Sequence, residues 1–551
     1  MIRNKLRQYA RETKDMKKKK TELIYHGMLA VLLVSALTIL LVLSYWACKY
    51  SYYGSVNYKI HNMLIRDVSW KHIIVFLLAS LGTVAVDQIL NRQNKAVQEK
   101  ICLAVLTITC VLIFSLGTFY VVKNPYYPVG DQINTTAFSA YCREGNFIML
   151  CPGGYMGMHQ HQKGLGFLYE ILFSVFGDFN YTPAKIIHVL WWVLTVYAGC
   201  QYLKITMDRA VFRVVYCMIM LGCIPYLLFL PYIYGDILSI SFCMVMFWAA
   251  SAYEHFGQKR YLLLAGLVAS IAILARKNTL IVLTAMVIYS ILLFLKKRKL
   301  QCLMIGMIVV LTAGAALKTV DIVYEYRSGY PSGIGIPSIL YVAMGLQDTD
   351  GVAGVYNRYH QTVFEENDFQ QEPSAQVGKE YIRNRLQGFA EEPAAAIDFF
   401  KRKLEGQWIE PLFESLRATE SFEEGAVMPT YIANLYYGKM YDVVWKLSNY
   451  YQSMMYLAGL AFTIAAGILW WRHREMPTAL WLPLISIVGG FLFSIIWEAQ
   501  CRYVFPYYVF LALYVPKGLL ETGKMIQRLR IHNKKDQNSG KEKEEKLREI
   551  A

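Results

Sequence analysis

The residues able to do chemistry sit in a few short polar stretches between long apolar runs. In "NPYYPVGDQINTTAFSAY", residues 124–141, Asp131 lies between a glycine and Gln132, with no Lys or Arg within seven positions on either side. An unpaired carboxylate there can serve as a general base toward a hydroxyl. It can equally open a turn or cap a helix, places where Asp is common. Farther along, "MHQHQKGLGFLYEILFSVFG" sets His159 and His161 two apart, with Lys163 close behind. An H-x-H pair without a third ligand is a weak zinc signal. Two His and a Lys can instead hold a phosphate, or only lead into an interfacial helix. Three later turns carry Tyr234 and Asp236 ("PYIYGD"), Arg276 and Lys277 ("LARKNT"), and Glu498, Arg502 and Tyr503 ("WEAQCRYVFPY"). Charged groups at span ends either bind a ligand or snorkel to the headgroups.

The elements that must position these groups are membrane helices. Of the 551 residues, 56% are hydrophobic and only 17% charged, against about 25% charged in soluble proteins. Runs long enough to span, at about 20 residues each, start near Leu23, Trp70, Ile101, Lys185, Val211, Tyr234, Tyr261, Thr279, Cys302, Gln452, Ala479 and Val504. The expected fold is therefore an all-α polytopic membrane protein with about twelve transmembrane helices. Gly164–Gly177 is too short to cross and reads as a juxtamembrane helix. The basic start of the chain leads into an apolar run too long for a cleaved leader.

The formal charge of +16 does not point to nucleic acid, because it is clustered beside apolar spans: nine Lys or Arg in the first twenty residues, Lys296–Lys299, and the tail beyond Lys517. Basic loops stay cytoplasmic. With both termini inside and Gly164–Gly177 flat on the outer surface, nearly all basic loops face the cytoplasm; residues 48–70, with Lys49, Lys59 and Arg66, are the mild exception. The expected organisation is a basic cytoplasmic tail (1–22), N-terminal spans (23–121) and an outer loop with the juxtamembrane helix (122–183). A transmembrane core (184–319), a small, mainly helical outer domain (320–451), C-terminal spans (452–517) and a cytoplasmic tail (518–551) follow. Every polar motif above then lies on the outer side.

Taken in order, these motifs resemble the polyprenyl-phosphate-sugar-dependent glycosyltransferases of the GT-C superfamily, which include protein O-mannosyltransferases and lipid A aminoarabinose transferases. The resemblance covers residues 100 to 517. It rests on Asp131 in "YPVGDQ", on "HQKGLGFLYEILFSVFG", on "ARKNT", and on the late Glu498, Arg502, Tyr503 and Pro506. "FFKRKLEGQWIEP" is similar to a stretch in Gram-positive surface-polysaccharide enzymes. The resemblance implies that Asp131 is the catalytic base and that Lys277, Arg502 and Arg276 bind the donor phosphate or sugar, with Tyr503, His161 and Lys163 beside them. Gln132, His159, Asp236 and Glu498 would line the acceptor side or wall. The implied partners are a polyprenyl-phosphate-linked sugar, a glycan or other surface acceptor, and the bilayer of a bacterial plasma membrane. Two departures stand out: His161-Gln162-Lys163 where many relatives have His-Pro-Pro, and Asp131-Gln132 where some have Asp-Glu. The second removes a carboxylate, so no cofactor and no obligatory metal are expected.

Two rival readings use the same residues. A transporter or flippase of lipid-linked sugars would favour acids and broken helices at mid-span, and such charges are scarce here. A non-catalytic assembly partner would tolerate changes at Asp131. Cys142 and Cys151 share the first outer loop, and a disulfide between them would tether Asp131 to the His159 segment in an oxidising compartment. The topology has a direct test. A reporter fluorescent only in the cytoplasm is expected to light when fused after Lys299 and to stay dark when fused at Glu424; the reverse pattern would invert the assignment.

Overall fold

A computed structural model describes residues 2–53, 63–473 and 476–530, with residues 2–18, 63 and 473 as backbone alone. Almost all of it is helix. Long apolar helices make the frame: α1 (Ile2–Lys49), α2 (Ser69–Asn91) and α3 (Lys95–Lys123) come first. The polar loop after them holds α4 (Asp131–Arg143), the single turn α5 (Tyr155–Met158) and α6 (Lys163–Phe176). The core follows as α7 (Tyr181–Thr206), α8 (Ala210–Leu221), α9 (Ile224–Phe229), α10 (Asp236–Phe256), α11 (Arg260–Ala275), α12 (Thr279–Lys297) and α13 (Met304–Ser328). A second polar region carries α14 (Ser338–Gly345), α15 (Tyr359–Glu366), α16 (Gln371–Glu391), α17 (Pro393–Trp408), α18 (Ser415–Ala418) and α19 (Thr430–Tyr437). The chain ends in α20 (Lys439–His473), α21 (Leu482–Ile496), α22 (Cys501–Leu511) and α23 (Val515–Arg530).

Nine helices among the described residues are long and apolar enough to cross a membrane, or ten if α22 and α23, bent by 59°, form one span. This is a polytopic membrane architecture. All twelve expected apolar runs are helical, but α8 and α11 are shorter than a full span. The run from Val211 stops at Gly222, and Pro225 opens the separate α9, because proline lacks the N–H that would continue the helix. Two small antiparallel pairs are additions to the all-α expectation: β1 (Tyr50–Tyr53) with β2 (Met63–Arg66), and β3 (Asp348–Thr349) with β4 (Val352–Ala353). Several expected boundaries also move. Helix α13 runs on to Ser328, α20 already begins at Lys439, α7 at Tyr181, and α23 continues past 518, so the polar region is narrower than 320–451. Helical hydrogen bonding continues past the end of an apolar run wherever side chains still pack.

Helix α10 is the central post, with 83% of its apolar window buried against 22% for α3 at the periphery. It packs between α7 and α11; α11 packs on α13, and α21 on both α12 and α22. The polar loops collect at one end of this frame. The basic turns collect at the other: Lys95 pairs with Asp208 (3.4 Å), Arg298 with Glu22 (3.4 Å), and the Lys296 ammonium donates to Met476 O (2.7 Å). The two polar regions are tied together by backbone. Tyr127 N donates to Ser421 O (2.9 Å) and Glu423 N to Pro125 O (3.1 Å).

Close approach of backbones sets the site end. A Cβ built on Gly235 would lie 2.0 Å from Ala275 O, so only glycine lets the turn before α10 lie on the end of α11. Gly235→Val is expected to destabilise by at least about 1–3 kcal/mol, the usual cost of overpacking, seen as a lower melting midpoint in detergent. Gly27→Ala, with nothing within 4 Å of its built Cβ, should leave that midpoint unchanged.

Candidate functional site

Asp131 is the first residue of α4. Gly130 precedes it at φ +58°, ψ −129°, a conformation closed to side-chain-bearing residues. The residue is exposed and makes no ion pair among the described residues. The positive end of the α4 dipole favours its negative charge. Its field reaches the arginine turn, Glu498 and Tyr503 on one side, and Tyr155, His159 and Tyr341 on the other.

Three turns form the cationic wall. Helix α11 ends where Arg276 turns extended, and its guanidinium lies over the rings of Tyr234 (4.9 Å) and Tyr503 (5.3 Å). Asp236, at the head of α10 and only 5% exposed, pairs with it at 3.3 Å. Arg502 is different. It stands over Tyr232, Tyr234 and Tyr503 at 5.7, 5.4 and 5.2 Å and donates to Gln500 Oε1 (2.9 Å) and to the Tyr232 hydroxyl. Among the described residues it has no carboxylate within ion-pair distance. Lys277 is exposed at the same turn. Beside Arg276 a small cavity opens between α10, α12 and α22; its mouth is polar, with Asp236, Ser239, Asn278 and Tyr503, and its depth apolar, with Val282 and Phe510.

Glu498 closes the wall. It is buried, accepts from Gln500 Nε2 (3.0 Å), and has the Tyr503 hydroxyl at 3.5 Å. Burial, and then the Asp131 carboxylate, push its pKa up to about 8. At neutral pH it is therefore uncharged, and the wall keeps a positive surplus. Behind it, buried Lys403 donates to Gly345 O and Ile495 O (2.5 and 2.9 Å), fastening α17 of the polar domain to the ends of α14 and α21. Burial lowers its pKa to about 7.

The opposite wall is uncharged. His159 has both ring nitrogens engaged, Nδ1 with the Tyr341 hydroxyl (3.0 Å) and Nε2 with the Gln361 amide (2.8 Å). Burial holds both His159 and His161 below the ordinary histidine range. The Tyr155 hydroxyl is buried and faces Asp131 too loosely for a full hydrogen bond.

Several expected roles are corrected by these contacts. Lys163 is buried in an ion pair with Asp321 (2.5 Å) and bonded to Ser332 Oγ (2.7 Å), so its charge is already satisfied within the protein. Gln132 turns inward and accepts from Tyr126 (2.5 Å), so it does not face an acceptor. His161 lies near His159, Arg276 and Lys277, with burial favouring its neutral imidazole. Cys142 and Cys151 are not bridged: the Cys142 side chain packs among Phe138, Leu150 and Tyr324. Asp131, His159, Asp236, Arg276, Lys277, Glu498, Arg502 and Tyr503 do gather at one end. Tyr155, Tyr232, Tyr341, Gln361 and Lys403 join this end without having been singled out in the sequence; Lys403 lies inside the quoted "FFKRKLEGQWIEP" and Tyr232 inside "PYIYGD", whereas Tyr155 and Tyr341 are lost among 41 tyrosines. Among the described residues, no group of three His, Cys, Asp or Glu is placed to hold a metal ion.

The raised Glu498 pKa has a stability consequence of definite sign. Its contribution is complete below about pH 4.5 and is lost as pH rises toward 8. At about 1.4 kcal/mol for each pH unit between the two values, Glu498→Gln is expected to gain a few kcal/mol over wild type at pH 9 and little at pH 4.5. Melting midpoints across that range check it. The chain matches no family model, no curated protein and no solved structure.

Proposed function

We propose that the protein is a membrane-embedded glycosyltransferase that moves a sugar from a polyprenyl phosphate to a hydroxyl acceptor on the extracytoplasmic side. One observation carries the reading. Asp131, exposed and without an ion pair among the described residues, lies within electrostatic reach of the Arg276 and Tyr503 turn, where Arg502 shares the same rings and has no carboxylate at ion-pair distance among the described residues. An anion belongs between the arginines, and a hydroxyl beside the carboxylate.

The chemistry follows from these places. A lipid-linked phosphate has its anionic head at the membrane surface and its chain in apolar surroundings, and Arg276 and Arg502 lie where polar turns meet the ends of apolar helices. Arg502, Arg276 and Lys277 would neutralise the phosphate as the sugar C1–O bond breaks and its electron pair passes to the phosphate oxygen. The acceptor oxygen attacks C1 from the opposite face and Asp131 takes its proton, so one displacement inverts the anomeric centre. The phosphate linkage supplies the driving force, so the scheme needs neither a nucleotide nor a metal. The basic turns at the far end favour a cytoplasmic placement there, which puts the site outside and both termini inside a bacterial plasma membrane.

General-base catalysis is worth roughly 10²–10⁴-fold. Asp131→Asn, at matched membrane abundance, is expected to lower by at least about 10²-fold the rate at which cells lacking the gene regain a surface sugar substituent. Full restoration by Asp131→Asn would remove the base assignment and favour a transporter or an assembly partner.

A further inference from the structure

The wall opposite the arginines has a composition of its own. From the polar domain, Tyr356 is 43% exposed and donates to Gln361 Oε1 (3.2 Å). The Gln361 amide meets His159 Nε2 (2.8 Å), and His159 Nδ1 meets the Tyr341 hydroxyl (3.0 Å). Aromatic faces back this chain of amide, imidazole and hydroxyl groups. Tyr341 stacks on half-buried Trp497 at 5.3 Å and 5° and lies 4.4 Å from His360; Tyr356 meets His360 edge-on at 5.6 Å. The lattice runs from the domain surface to the residues around Asp131, where the Tyr155 hydroxyl is buried without a full partner.

We infer that this wall is the acceptor subsite and that it takes an uncharged glycan, lying across Tyr356, Gln361 and Tyr341 with one hydroxyl directed at Asp131. This rests on the transferase reading and names the substrate class for it. Three physical points support it. Ring faces backed by neutral hydrogen-bonding groups suit a pyranose, which presents an apolar C–H face and a rim of hydroxyls. The unsatisfied Tyr155 hydroxyl would gain a partner in the acceptor hydroxyl. Beside Tyr356 the carboxyl groups of Asp131, Glu498 and Glu365 face the Arg358 guanidinium. Asp131 and Glu365 make this wall a poor host for a polyanion such as a phosphate-linked polymer, while the arginine wall suits the donor phosphate.

The test uses the full-length protein in nanodiscs and surface polysaccharide fragments from cells lacking the gene, separated by anion exchange into neutral and acidic pools. Microscale thermophoresis follows binding of each pool and, separately, of a short-chain polyprenyl phosphate. The neutral pool should bind, Tyr356→Ala and Gln361→Leu should each weaken that binding about fivefold or more, and polyprenyl phosphate binding should be unchanged in both variants. Gln361→Glu keeps the size and adds a negative charge; it guards against misfolding, since it should still bind polyprenyl phosphate. Binding of the acidic pool alone, or neutral binding that ignores both wall variants, would overturn the glycan subsite. Polyprenyl phosphate that binds wild type no better than an Arg502→Ala variant would instead sink the transferase reading.

Discussion

A guanidinium held away from bulk water sets the terms for the rest of the polar end. Arg276 cannot sit between helix ends unless its charge is met, because an unpaired buried ion costs several kcal/mol. It is met three times over, by Asp236 at 3.3 Å and by the rings of Tyr234 and Tyr503. Those partners come from the turn before α10 and the first turns of α10 and α22, and Gly235 allows the first of these to lie against the α11 end. The same rings then support Arg502, which has no carboxylate of its own. Satisfying one cation thus leaves a second presented to whatever enters.

The polar domain participates in this arrangement through backbone and buried contacts. Lys403 bonds the carbonyls of Gly345 and Ile495, and strand-like pairing joins residues 125–127 to 421–423. A lysine donating to two main-chain carbonyls in the interior loses conformational freedom and fixes the geometry of the ends it joins. Asp131 on the first loop, Tyr341 and Gln361 on the domain, and Glu498 on the last turn consequently share one space. Motion of the domain relative to the helices would break these bonds first.

Much of the architecture was legible in the chain, and for a simple reason. Apolar runs of about 20 residues must be helices if the backbone is to satisfy itself in lipid, and clustered Lys and Arg mark one side. The helical break at Pro393 and the short α6 follow from the same local rules. Boundaries such as Ser328 and Lys439 were less legible, because helical hydrogen bonding does not stop where hydropathy does. Candidate residues at helix ends were found by type: a carboxylate, two arginines, a lone glutamate. Their partners were not. Lys163 and Lys277 look alike in sequence, yet Asp321, more than 150 positions from Lys163, pairs with Lys163 alone and leaves Lys277 exposed.

The sequence by itself determined the solvent in which the chain folds, the number of apolar runs, and the shared sidedness of the polar turns, since these depend on side-chain transfer energies and local spacing. Tertiary structure alone decided which charges are compensated and which stay available. It turned Gln132 inward to Tyr126, buried Glu498 until its proton stays on, engaged both nitrogens of His159, and kept Asp131 unpaired. Those outcomes depend on desolvation and, for His159, on partners 182 and 202 residues away, and neither is written in any local stretch of the chain.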